Sequence, residues 1–317
     1  MHPIPYHYSP GRTETSPDAE SPRASAMSLP SHGVSTADLA AACRAWHLRT
    51  PAPLFEDPYA AKLCGPVLGL ALRMRPFEWL LARAVSSTIL PVATSIAARA
   101  RFAEDAIEEA ILRGAQQYVI LGPGMDSFAF RRPDLMKRIQ VFEVDHPVTQ
   151  RCKLRRLRRA GLPIGSNHHF VAADLSRMSP LEALQDSPFS TTRPTCISLL
   201  GVAYYIDVNT LRATLQSLSG TLAAGTRLAL DWLLDRASCD QAHADMRRNL
   251  LSFVAGRGEP MRSQYSLAEM RALAEECGFR TLTALPVSAL GESYGSSKGE
   301  TPWEIPGLFG VAVLEVE

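Results

Sequence analysis

From residue 35 onward, apolar and polar positions follow one repeat first and a different one later. STADLAAACRAWHL places Ala, Leu and Cys at helical spacing behind Ser35 or Thr36, with Asp38 in the first turn, which predicts a capped helix. The same spacing recurs over about 57–72 and about 94–114, the last segment running out at Gly114, a residue suited to the position after a helix. Beyond residue 115 the period changes. YVILG (118–122) and VFEVD (141–145) are short runs of β-branched and aromatic residues, each closed by a glycine or an acid, and they read as buried parallel strands. HHFVAAD (168–174), TCISLL (195–200), TRLALDWL (226–233) and LFGVAVLEV (308–316) have the same character, interleaved with helical spacing near 147–160, 208–223 and 266–277. Strands alternating with helices predict an α/β fold: a Rossmann-like, doubly wound, mostly parallel sheet behind an N-terminal helical cap.

Composition changes this picture at the start of the chain. Residues 1–30 hold Pro3, Pro5, Pro10, Pro17, Pro22 and Pro30 among Ser, Thr and charged residues, a mixture expected to form a disordered tail. The expected organisation is therefore a tail over 1–30, a helical cap or lid over 31–114, and a sheet domain over 115–317 with a pocket-forming insertion near 236–265. Phe77 to Ala98 is the most apolar stretch, but Glu78, Arg83 and Pro91 interrupt it, so a membrane span is not expected. Six cysteines stand singly, without metal-ligand spacing, and read as reduced thiols of a cytoplasmic protein with no metal site.

The 33 basic and 32 acidic residues leave a formal charge of +1, so no global field draws nucleic acid. The basic run Arg151, Lys153, Arg155, Arg156, Arg158 and Arg159 invites an RNA-binding reading. It lacks interleaved aromatics, and its spacing predicts a solvated helix face with Leu154 and Leu157 turned inward.

The candidate chemistry begins where the first strand ends. Gly122 and Gly124 form a tight glycine turn at the carboxyl end of a strand, where open α/β sheets bind ligands. Asp145, ending the second strand 23 residues beyond Gly122, is spaced as an acid that accepts hydrogen bonds from a ribose. A dinucleotide site would want a third glycine near 127, but Ser127 stands there, and Asp126 places negative charge where a pyrophosphate would lie. That charge suits a cationic, phosphate-free nucleoside such as S-adenosylmethionine. Asp174 with Leu175 could hold the edge and face of an adenine; the alternative for Asp174 is a helix cap ahead of 175–185.

ARARFAEDAIEEAI, QYVILGPGMDSFAFR, VFEVDHPVTQRCK, the Asp174–Leu175 pair and SLLGVAYYI resemble, in order, the motifs of the leucine carboxyl methyltransferase superfamily. STADLAAACRA with PLFEDPYAAKL and, near the end, GRGEPMRSQY with ECGF extend the resemblance over about residues 35–290. The sequence looks most like the bacterial branch that includes tetracenomycin-type polyketide carboxyl methyltransferases. The resemblance implies a class I methyltransferase fold using S-adenosylmethionine and releasing S-adenosylhomocysteine. It also implies that Arg99 binds the cofactor carboxylate, Gly122 and Gly124 form its turn, Asp145 its ribose acid, and Asp174 with Leu175 its adenine pair. Arg101 is the reserve arginine. Two departures stand out: Pro123 removes a backbone donor from the turn, and Leu200 replaces the glutamate of the protein-phosphatase branch, which argues against a protein C-terminus as acceptor.

Methyl transfer from a sulfonium is an in-line displacement, so alignment and exclusion of water carry most of the catalysis. A carboxylate acceptor needs no base, whereas a hydroxyl benefits from one. No base stands out, which favours carboxyl methylation, while His146, His168 and His169 keep hydroxyl methylation open and read individually as structural. Tyr205 is the candidate for orienting the acceptor oxygen, with Tyr204 beside it and one of the two in the core; Arg262 and Tyr265 are candidates for an anionic acceptor, with a surface loop as the alternative. Trp46, Phe55, Phe77 and Trp79 could wall the pocket, with core packing the alternative for any one of them. The expected partner is a small-molecule acceptor, a polyketide-like secondary metabolite, with self-association left open. Two rivals remain at this point: a nicotinamide-dependent reductase, and a non-catalytic cofactor-binding protein of the same fold.

Overall fold

The computed structural model describes residues 34–50, 52–72, 89–294 and 304–317. The expected tail, Phe77 and Trp79 lie outside them. Helix α1 (Thr36–His47) begins with a capping box in which the Ser35 side chain accepts from the Asp38 amide and the Asp38 carboxylate from the Ser35 amide. The single helix expected over 57–72 is two, α2 (Ala60–Leu63) and α3 (Pro66–Ala71). Gly65 at φ 93° turns the chain, and Pro66 starts the second piece because it can begin a helix but not continue one.

Helix α4 (Ile89–Leu112) precedes strand β1 (Gln117–Leu121). Then come the short helices α5 (Phe128–Arg131) and α6 (Pro133–Met136), β2 (Gln140–Asp145), α7 (Pro147–Arg159), β3 (His168–Ala172), α8 (Pro180–Leu184) and β4 (Thr195–Leu199). The rest of the chain gives α9 (Val208–Ser219), β5 (Arg227–Leu233), α10 (Ala244–Ala255), α11 (Leu267–Glu276), β6 (Phe279–Pro286), α12 (Leu290–Tyr294) and β7 (Phe309–Val316).

The strands form one sheet in the order β3-β2-β1-β4-β5-β7-β6, parallel except for β7, which runs antiparallel to both its neighbours. All six expected strands are present. The seventh, β6, was not legible because an edge strand half-buried on its faces has no continuous apolar run, and a bulge between Thr281 and Thr283 breaks its alternation.

Period-two alternation divides β1 between two cores. Tyr118 and Ile120 pack with Ala103, Ile107 and Ile111 of α4, whereas Val119 and Leu121 face Leu211 and Leu215 of α9 and Met270 of α11. Thus α4, the last part of the segment expected as a cap, is a layer of the sheet. The order of strands reverses direction between β1 and β4, and the crevice at that point receives the ends of β1, β2 and β4.

The basic run lies on α7, but its residues part company. Lys153 is 1% exposed and pairs with Glu143 at 2.5 Å, while the other Glu143 oxygen meets His168 Nε2 at 2.9 Å. Arg156 ties α7 to the cap through Asp38 and the Leu63 carbonyl. Arg151, Arg155, Arg158 and Arg159 alone form the solvated face. Among the described residues no helix is long and apolar enough to cross a membrane.

Candidate functional site

A cavity of about 550 Å³ opens at the carboxyl ends of β1, β2 and β4, beneath the N-terminus of α1. Its first wall is the glycine turn. Gly122 has φ 65°, and a Cβ there would stand 2.5 Å from Val202; Gly124 has φ 53° and faces Ala37 of α1 at 3.0 Å. Both positions therefore need the freedom and the small size of glycine.

Asp145 closes β2 with its carboxylate against this turn. One oxygen accepts from the Gly124 amide at 2.8 Å and the other from the His146 amide at 2.7 Å. Burial pushes this carboxyl up to about 6 despite the two N–H donors. Each oxygen keeps a lone pair for a ligand hydroxyl, and the group faces the cavity.

Asp126 also lines the cavity, yet its charge is already engaged: it accepts from the Phe128 amide at 2.6 Å and lies 3.7 Å from Arg131. Burial works against ionisation, but Arg131, Arg44 and Lys153 together hold its carboxyl below the ordinary range. The negative charge expected to repel phosphate is thus largely compensated. Ser127, in place of a third glycine, is fully buried and donates to Asp57 at 2.6 Å. Asp57 is a hub that the sequence reading did not single out. It accepts from Arg44 Nε at 2.9 Å and from the Tyr59 and Ala60 amides, and Arg44 reaches on to the Met125 carbonyl at 2.7 Å. The cap is locked to the glycine turn through these side chains.

Asp174 and Leu175 line the cavity beyond β3. Asp174 accepts from the Ser176 amide and hydroxyl at 3.0 and 2.6 Å, opening a turn; the helix cap weighed for it belongs instead to Ser179 of α8. Leu200, just past β4, lines the same space.

Arg99 of α4 is 7% exposed and reaches the cavity, where Nη1 donates to Asp231 at 2.5 Å and to the Tyr204 hydroxyl at 3.0 Å. Asp231, another acid not anticipated, also accepts from the Gly201 amide at 2.6 Å. Arg101 points away, paired with Asp105 at the surface and lying over the Tyr294 ring.

Tyr204 and Tyr205 both line the cavity, with Tyr204 the more buried and packed against Phe309. Burial pushes the Tyr205 hydroxyl well above its ordinary value, so it stays protonated and can orient an acceptor but not deprotonate one. Two candidates fall outside. The Arg262 side chain is exposed while its amide donates to the Tyr204 carbonyl at 2.7 Å, and Tyr265 is buried in the main core, with its carbonyl accepting from Trp232. Arg262 thus braces the loop that carries Tyr204 through its backbone, and Tyr265 is tied to the end of β5, where its amide donates to the Leu233 carbonyl at 3.1 Å. Trp46 and Phe55 also pack away from it; Phe253 and Phe309 supply aromatic surface instead. Of the three histidines, His146 reaches the cavity, whereas His168 and His169 are held by Glu143 and Gln140.

The 236–265 segment contributes α10 and the loop after it, from which Glu259 enters the cavity 3% exposed and accepts from the Thr36 hydroxyl of α1. Nothing in the spacing marked it beyond its place in GRGEP.

A glycine turn closed by a strand-end acid that two backbone amides hold thus lies at the switch point of a sheet with an antiparallel seventh strand. The family model for leucine carboxyl methyltransferase matches residues 37–219. The chain belongs to the leucine carboxyl methyltransferase family. It is 32% identical over 201 residues to YktD of Bacillus subtilis, covering 63% of this chain and 66% of that one. To a Mycobacterium marinum protein it is 31% identical over 229 residues, covering 70% and 69%. Both carry names that assign them to the S-adenosyl-L-methionine-dependent methyltransferases, and the chain spans about two thirds of their length.

The fold is shared with a Thermobifida fusca protein named for methyltransferases, at TM-score 0.55 and 17% identity, covering 82% of this chain and 93% of that one. It is shared equally with a DUF574 family protein of Streptomyces avermitilis, at TM-score 0.56 and 16% identity over 88% and 97%. Family membership makes the chain an S-adenosylmethionine-dependent methyltransferase and sets aside the nicotinamide reading. The cavity fits that cofactor on its own terms: Asp145 offers free lone pairs to ribose hydroxyls, the turn leaves no Cβ in the way, and a buried arginine stands at the far side.

Proposed function

We propose that this enzyme is an O-methyltransferase that methylates a carboxyl or hydroxyl oxygen of a small, polyketide-like secondary metabolite. The observation that carries this reading is the continuity of the cavity: Asp145 and the glycine turn share one space with Tyr205, Phe253 and Met261. In this reading Arg99 takes the cofactor carboxylate, Asp145 the ribose, and Asp174 with Leu175 the adenine. The bound cofactor supplies an electrophilic methyl on a sulfonium; the chain's task is to hold an oxygen in line with it and exclude water. Tyr205 donates to the acceptor oxygen, and the apolar and aromatic surface beyond it receives a flat carbon skeleton.

The test is a screen of aromatic acids and phenols with radiolabelled cofactor, sorting products into base-labile esters and base-stable ethers. The reading expects label on oxygen. Label only on nitrogen or carbon contradicts it, and cofactor binding without turnover on any acceptor supports a non-catalytic role.

A further inference from the structure

Seven acids are buried among the described residues: Asp38, Asp57, Glu104, Glu143, Asp145, Asp231 and Glu259. Five of them pair with an arginine or lysine: Asp38 with Arg156, Asp57 with Arg44, Glu104 with Arg131, Glu143 with Lys153 and Asp231 with Arg99. Asp145 is held by two backbone amides. Glu259 differs from all six, because the Thr36 hydroxyl is the hydrogen-bond donor to its carboxylate and no cation of the described residues pairs with it. A buried acid without a cation lowers stability, and such groups gather where chemistry needs them.

Its surroundings narrow the role. Glu259 lines the cavity and lies close enough to Tyr205 to raise that phenol further. The cavity wall carries four acids, Asp126, Asp145, Asp174 and Glu259, against two arginines, Arg44 and Arg99, each already matched to a buried carboxylate. An acceptor carboxylate entering beside Glu259 would meet like charge with no side-chain cation to spare. A neutral hydroxyl there donates a hydrogen bond to the free Glu259 oxygen.

We infer that Glu259 is the general base of this enzyme and that its acceptor is a phenol or alcohol. The inference rests on the methyltransferase reading above and narrows it. The acceptor O–H gives its proton to Glu259 as the oxygen takes the methyl carbon. The carbon–sulfur bond breaks with its electron pair on sulfur, leaving a methyl ether, S-adenosylhomocysteine and a proton on Glu259 that passes to water. Tyr205 holds the oxygen in place through the transfer.

The experiment compares wild type, Glu259→Gln and Glu259→Asp, each checked for folding by thermal melting and for S-adenosylhomocysteine binding by calorimetry. The loaded proteins are titrated with a naphthol and with the matching naphthoate. The inference expects wild type to bind the naphthol at least about 10-fold more tightly, and Glu259→Gln to gain about 10-fold for the naphthoate as the repelling charge disappears. Equal binding, no binding of either, or a preference for the naphthoate overturns it. In methyl transfer to the naphthol, Glu259→Gln should lose about 10²- to 10⁴-fold in kcat, Glu259→Asp should recover part of that, and the loss should shrink for a nitrophenol already ionised in the assay. An equal loss for both phenols overturns the base role, and so does a loss of S-adenosylhomocysteine affinity beyond about 10-fold, which would make Glu259 a cofactor anchor. Absence of S-adenosylhomocysteine binding in wild type defeats the methyltransferase reading itself, whatever Glu259 does.

Discussion

Arg99 Nη1 lies 2.5 Å from Asp231 Oδ2, and this pair joins α4 to β5 at the floor of the cavity. Asp231 is fully buried and its second oxygen takes the Gly201 amide, so one carboxylate fixes both the arginine and the loop after β4. Removing one partner strands the other. Arg99→Ala should therefore cost about 3–5 kcal/mol in denaturant unfolding and sharply weaken S-adenosylhomocysteine binding. Arg101→Ala breaks an exposed pair one helical turn long, should cost at most about 0.5 kcal/mol, and should leave affinity unchanged. The opposite order in calorimetry would show that the wrong arginine of the two was assigned to the cofactor.

How much of this was legible in the sequence depended on whether a residue's chemistry is local. The turn at Gly122 and Gly124 and the strand-end Asp145 could be read because each sits at a change of period, and the fold brings them together as the spacing implied. Asp231 sits inside the apolar run LALDWL, its partner is 132 residues away, and no local pattern names it. Glu259 and Thr36 are 223 residues apart, and Ser127 and Asp57 are 70 apart. Lys153 was read outward because charge was weighed above helical phase; its partner Glu143 lies on a strand that looked simply apolar. For Arg262 and Tyr265 residue type leaves pocket and surface loop equally open, and only the bond from the Arg262 amide to Tyr204 shows what that loop does.

The Asp145 carboxyl makes cofactor binding pH-dependent with a definite sign. An ionised carboxylate accepts from ribose hydroxyls more strongly than an acid does, and burial pushes this group up to about 6. S-adenosylhomocysteine affinity should therefore fall as pH drops through about 6, where an unperturbed aspartate would hold it down to about 4. The stability of the unliganded protein carries the opposite sign. A raised pKa in the folded state contributes stability that is present below the unfolded value of 3.8 and is lost as pH rises through about 6. Asp145→Ala should weaken binding by about 1–3 kcal/mol at neutral pH and flatten the pH profile of affinity. A profile unchanged in the variant contradicts the ribose assignment.

Asp57 holds the cap against the glycine turn. Replacing it with alanine leaves Arg44 buried without its carboxylate and removes acceptors from Ser127, Tyr59 and Ala60. The expected cost is about 3–5 kcal/mol in unfolding, accompanied by weaker cofactor binding as the turn loses its brace. Ser127→Ala, which removes the donor to Asp57 and the acceptor of Arg131 Nε, should cost about 1–2 kcal/mol and change affinity much less.

Gly122 separates backbone strain from crowding. Gly122→Ala forces a side chain into φ 65° and sets its Cβ 2.5 Å from Val202. The expected losses are about 1–2 kcal/mol for the left-handed backbone and about 1–3 kcal/mol for overpacking. Adding Val202→Ala should recover the second part and not the first. Full recovery in unfolding measurements would mean that the turn carries no conformational demand.

S-adenosylmethionine is expected to bind in the crevice between β1 and β4. This is tested most directly by calorimetric titration of the purified protein with S-adenosylhomocysteine, with NADH and NADPH as controls. A single saturable site for S-adenosylhomocysteine, weakened by Asp145→Ala, and no heat of binding for either nicotinamide are expected. Binding of a nicotinamide with no response to S-adenosylhomocysteine would contradict that assignment.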